Sequence, residues 1–318
     1  MRRGIHHLLG LAVLVLVGVA LPFLLPNYLS LGITLLLFAG WATSWDILGG
    51  WAGQTSLGHA AFVGIGAYAV ALGVNRYMLA PWWGVLLGMV LAAALAWGWG
   101  RLTFGLRGSY FTLSTIAIAE ILRLVAINED WLTGGAQGVF IAALPEPLGL
   151  DLFSRQVQYY LALLYVVLTL SLVLYLVQSR FGYQMRAVRE DEASAMAAGI
   201  NPTHIKLQAF MLSGALTALG GGIYGIFLSF LEPHDIFFLP LSVQIALTAI
   251  IGGRGTFWGP LVGATLLISM AELFRSTFAQ ANLLIYGVLI LVVILFLPRG
   301  LIGELTRRLV RRRYAKGN

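Results

Sequence analysis

The chain has 318 residues, of which 59% are hydrophobic and only 10% are charged, and its mean hydropathy is +0.87. Soluble domains carry about 25% charged residues, so this composition excludes an ordinary soluble protein and favours a lipid bilayer. The net charge of +7 does not indicate nucleic-acid binding, because the basic residues follow or precede apolar segments and form no basic-aromatic stripe. The absence of cysteine excludes disulfides, thiol catalysis and cysteine-ligated metal sites.

Ten apolar windows follow one another along the sequence, each about long enough to cross ~30 Å of hydrocarbon as a helix. They cover residues 8–25, 28–48, 59–79, 82–100, 109–127, 158–178, 205–231, 238–253, 259–275 and 282–298. Backbone groups in lipid must be satisfied within their own segment, and segments of ~20 residues are too long for barrel strands. We therefore predict an all-α polytopic membrane protein with about ten transmembrane helices, forming a single domain over residues 1–318.

The basic residues predict the orientation of these helices. Placing the N-terminus in the cytoplasm puts 16 of the 20 Lys and Arg residues on the inward side, as the positive-inside rule requires. The first window is interpreted as a retained span, because no small-residue cleavage site follows it. The tail 299–318 carries seven basic residues and favours anionic lipid by about 1 kcal/mol per charge. We expect both termini and the connection 179–206 to be cytoplasmic.

The segment from Gly49 to Tyr68 mixes glycine with polar residues between two apolar windows. Each glycine weakens a helix by up to about 1 kcal/mol relative to alanine, so a helix break is predicted here, which Asp46 could anchor. Broken backbone at membrane depth is tolerated when it is buried in protein or beside a water-filled cavity, whereas glycine can also serve tight helix packing. The candidates for the translocation path are Gln54, Thr55, Ser56 and His59.

Two weaker patterns accompany this segment. The run Gly252-Gly253-Arg254-Gly255 echoes Gly49-Gly50 and gives weak evidence for an internal repeat. At the start of the fifth window, the hydroxyl groups of Tyr110, Thr112 and Ser114 either line the path or bond the backbone one turn back.

Two pairs of opposite charges lie inside predicted spans, where an unpaired charge costs several kcal/mol. Glu120 and Arg123 are three residues apart, as are Glu272 and Arg275, so each pair shares one helical face. We predict an ion pair in each case, with a gating or proton-relay role as the alternative. The five histidines are dispersed without metal-ligand spacing, so no metal site is predicted.

The connection 179–206 interrupts the membrane pattern with a charged, helix-forming run. An apolar Ala-Met stretch follows the charged residues, and Gly199 with Asn201-Pro202 ends the helix. We predict a short helix across the cytoplasmic face, either resting on headgroups or docking on a cytosolic partner. The residues assigned to that partner contact are Arg189, Glu190, Asp191, Glu192, Ala195, Ala198 and Gly199.

No P-loop, nucleophile elbow or H-E-x-x-H motif occurs in the sequence, so the chain itself is predicted to be no enzyme and to need no cofactor. Five motifs occur in the order seen in the branched-chain amino acid ABC permeases of the M type. They are GQTSLGHAAFVGIGAY, RGSYFTLSTIAIAEILR, LTGGAQG, SRFGYQMRAVREDEASAMAAGIN and IIGGRGTFWGP. The chain resembles this family over about residues 40–298.

The resemblance implies the permease subunit of an importer that moves branched-chain amino acids across the bacterial inner membrane by ATP-driven alternating access. It implies a homologous H-type permease, two cytosolic ATPase subunits that bind ATP and Mg, and a periplasmic or lipid-anchored binding protein. The stretch 189–201 then corresponds to the coupling helix, which sits in a cleft of the ATPase.

Three alternatives stay open at this point. Urea and short-amide importers use similar permeases, so the resemblance identifies the type of transporter more specifically than the solute that it carries. A secondary transporter would explain the spans but leaves the helix of 179–206 without a function. A channel would transport without energy input, yet nothing in the sequence repeats as a selectivity filter.

Overall fold

The computed structural model describes residues 2–105, 109–141, 151–277, 287 and 300–304. Its helices are α1 (Arg2–Leu24), α2 (Leu29–Asp46), α3 (His59–Tyr77), α4 (Pro81–Thr103), α5 (Tyr110–Asn128), α6 (Asp130–Thr133), α7 (Arg155–Gln178), α8 (Arg180–Glu190), α9 (Glu192–Ala197), α10 (Pro202–Leu228), α11 (Pro233–Ile236), α12 (Leu239–Gly253) and α13 (Gly259–Thr277). Short 3₁₀ turns cover Pro26–Tyr28 and Gly135–Gln137, and a π turn covers Ile47–Trp51. Two short strands, β1 (Val139–Phe140) and β2 (Phe230–Leu231), pair antiparallel.

Seven helical stretches in the described part of the chain are long and apolar enough to cross a membrane. They are His6–Leu24, Pro26–Trp51, Pro81–Thr103, Tyr110–Asn128, Arg155–Gln178, Pro202–Leu228 and Pro233–Gly253. Helices α3 and α13 occupy two further predicted windows but are not among these seven. The last window, 282–298, lies almost wholly outside the described residues, as does most of the tail 299–318. The multi-pass helical class is confirmed.

Contacts between helix ends fall into two groups, one at each end of the bundle. At the end that carries α8 and α9, here called the α9 end, the ring of His7 lies 4.7 Å from that of Phe257. At the opposite end, here called the strand end, β1 pairs with β2 and Asn75 Nδ2 donates to the carbonyl oxygen of Phe140 (2.6 Å). Successive long helices therefore run alternately from one end to the other.

Helices α3, α4 and α10 pack against one another backbone to backbone. A Cβ atom at Gly66 would overlap the carbonyl oxygen of Ala218, and one at Gly84 would lie 2.6 Å from the Cα atom of Val70. Such close approach is how helices gain dispersion contacts in lipid, where no hydrophobic effect drives them together. Helix α2 lies beside this unit and contacts α7, α10, α12 and α13. The α3–α4–α10 unit and the helices around α2 together hold the interrupted segment that follows α2.

Candidate functional site

The glycine-rich segment forms a π turn followed by residues 52–58, which are not helical, before α3 begins. Trp45 Nε1 donates to the carbonyl oxygen of Ser56 (2.7 Å), which fastens the far side of the loop to α2. The backbone N–H of Gln54 donates to the carbonyl oxygen of Leu48 (3.0 Å). Gly53 has φ of +76°, a conformation that glycine adopts without strain. The chain therefore turns back on itself at the α9 end.

Hydroxyl groups from two other helices hold the start of α3. The first N–H groups of a helix have no partner within it, and here Ala60 N donates to Ser242 Oγ of α12 (2.7 Å). Just before α3, Leu57 N donates to Thr115 Oγ1 of α5 (3.0 Å). Thr112 Oγ1 in turn donates to the carbonyl oxygen of Thr55 (2.9 Å). The predicted path residue Thr112 thus fixes another predicted path residue, Thr55, rather than the backbone of its own helix.

His59 is fully buried and joins three helices. Its Nε2 atom lies 2.8 Å from Ser213 Oγ, and the Ser213 hydroxyl lies 2.7 Å from the carbonyl oxygen of Ser44. A carbonyl can only accept, so the single hydroxyl proton of Ser213 goes to Ser44 and His59 donates from Nε2. His59 therefore carries a hydrogen on Nε2. Nothing in the sequence near His59 indicated Ser213, which comes from α10.

Two arginines from distant segments bind the π turn. Arg189 Nη1 donates to the carbonyl oxygen of Gly50 (3.1 Å), and Arg254 Nη2 donates to that of Gly49 (2.8 Å). In a regular α-helix each of these carbonyl groups would accept a hydrogen bond from the backbone N–H four residues later. The arginines supply the donors that the π turn does not provide. Arg189 was predicted to contact a partner. In the structure its guanidinium ties α8 to the glycine-rich segment, while the side chain stays 33% exposed and the partner contact stays a prediction.

The carboxylate of Asp46 completes this junction. Both of its oxygens accept from the backbone N–H of Gly255 (3.0 Å each), and the side chain is buried. Asp46 therefore anchors the second glycine run, Gly252 to Gly255, against the end of α2. The sequence suggested Asp46 as an anchor of the first glycine-rich segment, whereas the structure shows it bound to the second run. The similarity between the two runs indicated an internal repeat and did not predict that they touch each other.

The connection 179–206 differs from the single helix that was predicted, because it breaks into α8 and α9 at Asp191. Asp191 is extended (φ −160°) and its Oδ1 accepts from Ser194 N (2.6 Å), so it caps α9. Hydrogen bonds from Ser194, first from the side chain and then from the backbone, hold the pKa of the Asp191 carboxyl below its usual value. Asp191 thus shapes the segment locally, and its predicted contact with a partner stays a prediction because the residue is exposed.

Burial corrects the predicted partner face of α9. Ala195 is only 3% exposed because it packs into the core of the chain, and Glu192 Oε1 lies 2.5 Å from Lys206 Nζ of α10. The exposed face contains Glu192, whose side chain is 54% exposed, together with Met196 at 57% and Ala198, so of these predicted contact residues only Ala195 is buried. Gly199 has φ of +80° and ends the segment, as the sequence predicted. Glu190 is also exposed, with its carboxylate on Arg189.

A cavity of about 690 Å³ lies between α9 and the glycine-rich segment. Its polar lining includes Gln54, Thr55, Thr112, Glu192 and Lys206. Three of the predicted path residues therefore meet in one space at the α9 end. Their neighbours across the cavity belong to the predicted coupling segment.

The other predicted path residues lie elsewhere. Ser56 is buried, and its Oγ accepts from Gly58 N (3.3 Å). Ser114 Oγ donates to the carbonyl oxygen of Phe111 (2.7 Å), which is the backbone role that hydroxyl groups often take in helices. Tyr110 is 67% exposed on the surface of α5. Together with the buried His59, these residues support the segment or lie outside the cavity.

The two charge pairs lie toward the strand end. Arg123 Nη2 is 2.5 Å from Glu120 Oε1, and Arg275 Nη2 is 2.9 Å from Glu272 Oε1. Arg123 Nη1 also lies 3.2 Å from His234 Nδ1, beyond the end of β2. Within the described ranges, no group of three or more His, Asp or Glu side chains could hold a metal ion.

The long apolar helices define a multi-pass membrane protein with an interrupted span and a polar cavity. The family of its sequence places it among transport proteins. The chain belongs to the family of permease components of branched-chain amino acid transport systems, whose sequence model matches residues 9–297. No solved structure matches it significantly.

The similar proteins include both kinds of permease in such systems. The chain is 28% identical to the high-affinity branched-chain amino acid permease LivM of Salmonella typhimurium, over 92% of this chain and 74% of that protein. It matches LivM of Escherichia coli K12 to the same extent. It is also 23% identical to the permease LivH of Salmonella typhimurium, over 87% of this chain and 94% of that protein.

Proposed function

We propose that this chain is the M-type permease subunit of an ABC importer that carries branched-chain amino acids across the bacterial inner membrane. The family and the names of the relatives support this solute rather than urea or a short amide. The α9 end faces the cytoplasm in this proposal, and transport proceeds by ATP-driven alternating access. The observation that carries the mechanism is the bond from Arg189 to the carbonyl group of Gly50, which ties the coupling segment to the interrupted span.

The coupling step follows from two contacts in the structure. A cytosolic ATPase pair that pushes on the exposed face of α9 moves Glu192, and the ion pair with Lys206 passes that movement to α10. Arg189 passes it to the π turn. Glu192 and Lys206 line the polar cavity, and so do Gly53, Gln54 and Thr55 of the segment that Arg189 holds. The push therefore changes the shape of the space that faces the cytoplasm. Packed helices that have two stable arrangements convert a small local shift of this kind into a larger movement of the domain.

The partners supply what this chain lacks in its sequence. ATP and Mg bind to two separate ATPase subunits, because no P-loop occurs here. The similarity to LivH as well as LivM supports pairing with a homologous H-type permease. A periplasmic or lipid-anchored binding protein delivers the solute to the strand end.

Transport by the whole complex in liposomes tests the proposed function. Labelled leucine should enter only with hydrolysable ATP, and unlabelled isoleucine and valine should compete whereas urea should not. A non-hydrolysable ATP analogue is the control. Leucine uptake driven by a proton or sodium gradient without ATP would instead show a secondary transporter. Urea uptake without leucine uptake would show an amide permease.

Cysteine labelling tests the orientation, because the natural chain has no cysteine. Ala197→Cys is exposed at the α9 end and Phe140→Cys, 72% exposed, at the strand end. An impermeant maleimide should label Phe140→Cys in intact spheroplasts and label Ala197→Cys only after permeabilisation. The reverse pattern would overturn the orientation without affecting the family.

A further inference from the structure

Helix α5 carries charge on an exposed face although the helix is apolar enough to span a membrane. The side chain of Glu120 is 47% exposed and that of Arg123 is 20% exposed. A charged pair facing hydrocarbon costs several kcal/mol, so charges within spans face protein or water. This part of α5 therefore faces an aqueous space or another protein in the working transporter.

A cavity of about 320 Å³ opens beside the pair at the strand end. It is lined by Glu120, Arg123, His234, Asp235, Phe238 and Leu239. The cavity thus brings together a guanidinium group, two carboxylates and two large apolar side chains. No step of the proposed coupling uses any of them.

Arg123 retains hydrogen-bonding capacity toward the cavity. A guanidinium has five N–H donors. Nε and Nη2 each give one to Glu120, at 2.8 and 2.5 Å, and Nη1 gives one to His234 Nδ1 at 3.2 Å. Among the described residues this leaves one N–H on Nη1 and one on Nη2. Guanidinium N–H groups that remain available form charge-assisted hydrogen bonds with a carboxylate.

The remaining lining suits the other parts of an amino acid. The carboxylates of Glu120 and Asp235 can accept from an ammonium group, which has three donors and no acceptor chemistry. Phe238 and Leu239 are 53% and 36% exposed, so an aliphatic side chain in the cavity would cover exposed apolar surface. The volume of the cavity accommodates a solute of this size.

We propose that this cavity is a reception site for the zwitterion of an aliphatic α-amino acid at the strand end of the permease. Arg123 binds the solute carboxylate, Glu120 and Asp235 bind its ammonium group, and Phe238 and Leu239 contact its side chain. The inference rests on the proposed function for its direction of transport and deepens it by naming the chemical group that each residue recognises.

The chain contains its own matched control. The sequence AEILR at 119–123 resembles AELFR at 271–275, and the second motif places Glu272 beside Arg275 on α13. That pair lines a different cavity of about 490 Å³, in which Glu272 is the only carboxylate among the described lining residues. Arg275→Lys therefore makes the same chemical substitution as Arg123→Lys but leaves the proposed site intact.

Equilibrium binding to the permease complex, purified without its binding protein and kept free of ATP, tests the site. Labelled leucine should bind, whereas 4-methylpentanoate, which lacks the ammonium group, and isoamylamine, which lacks the carboxylate, should compete about tenfold more weakly or worse. Arg123→Lys and Asp235→Asn should each weaken leucine binding about tenfold or more, because each loses a charge-assisted hydrogen bond. Arg275→Lys should bind leucine like the natural chain.

The outcomes separate this inference from the proposed function. Unchanged leucine binding in folded Arg123→Lys and Asp235→Asn would overturn the site, while ATP-driven leucine uptake by the natural complex would leave the proposed function standing. Unchanged binding combined with lost uptake in Asp235→Asn would also overturn the site and would assign the cavity to contact with a partner protein. If Arg123→Lys fails to fold, Asp235→Asn alone decides, because the described contacts of Asp235 are not needed for the Glu120–Arg123 pair.

Discussion

Removing the guanidinium of Arg189 should uncouple ATP hydrolysis from transport. In Arg189→Ala the Gly50 carbonyl group loses the donor at 3.1 Å, and the side chain no longer packs on Gly53, where a Cβ atom would lie 2.7 Å from Arg189 Cγ. A hydrogen bond to a charged group contributes about 1.5–3 kcal/mol. Since the Arg189 side chain is 33% exposed, we expect the lower end of that range, about 1.5 kcal/mol.

That free energy comes from the contact between α8 and the π turn, so its loss should affect coupling more than assembly. Losing about 1.5 kcal/mol of contact free energy lowers the preference for the arrangement in which α8 is bound to the π turn roughly tenfold. The assay is the number of leucine molecules imported per ATP hydrolysed by the reconstituted complex, measured beside co-purification of the ATPase subunits. Arg180→Ala, an exposed arginine of the same helix, is the matched control and should keep the natural ratio.

The result that would refute this reasoning is a folded Arg189→Ala complex with a natural import ratio. It would mean that movement reaches the interrupted span by another route, such as the Glu192–Lys206 pair. A drop in both Arg189→Ala and Arg180→Ala would also refute it, because the effect would then follow the charge of α8 and not the bond to Gly50.

Two further predictions concern packing and pH. Gly84→Ala should lower thermal stability in detergent by about 1–3 kcal/mol, the usual cost of overpacking, because the new Cβ atom would lie 2.6 Å from the Cα atom of Val70; Gly98→Ala on the same helix, with nothing within 4 Å, should not. The cap on α9 should persist above about pH 4 and weaken only as pH falls through the lowered pKa of Asp191, because a carboxyl whose pKa is depressed on folding stabilises the fold above its unfolded pKa of about 3.9. Hydrogen exchange of α9, corrected for intrinsic rates, should therefore be unchanged from about pH 8 to 5, and Asp191→Ala should raise it throughout that range. Loosening of α9 between those pH values in the natural chain would contradict this.

Composition and local spacing determined the class of this protein. Repeated apolar runs long enough to cross a bilayer are stable in lipid as helices, whose backbone groups bond within the segment. The multi-pass helical architecture therefore followed from the sequence. Short-range geometry likewise predicted the Glu120–Arg123 pair, because residues three apart share a helical face. The five ordered motifs indicated the family, which the match over residues 9–297 shows.

Only the tertiary structure decided which residues complete the site. Asp46 and Gly255 are 209 residues apart, and His59 and Ser213 are 154 apart, and no local pattern links them. Ala195 looked available to a partner because alanine fits an exposed or a buried face equally well, and the packing of the segment placed it inside. Hydropathy and helical spacing act over a few turns of one helix, whereas the orphan backbone groups of an interrupted span are satisfied by whichever side chains packing brings to them.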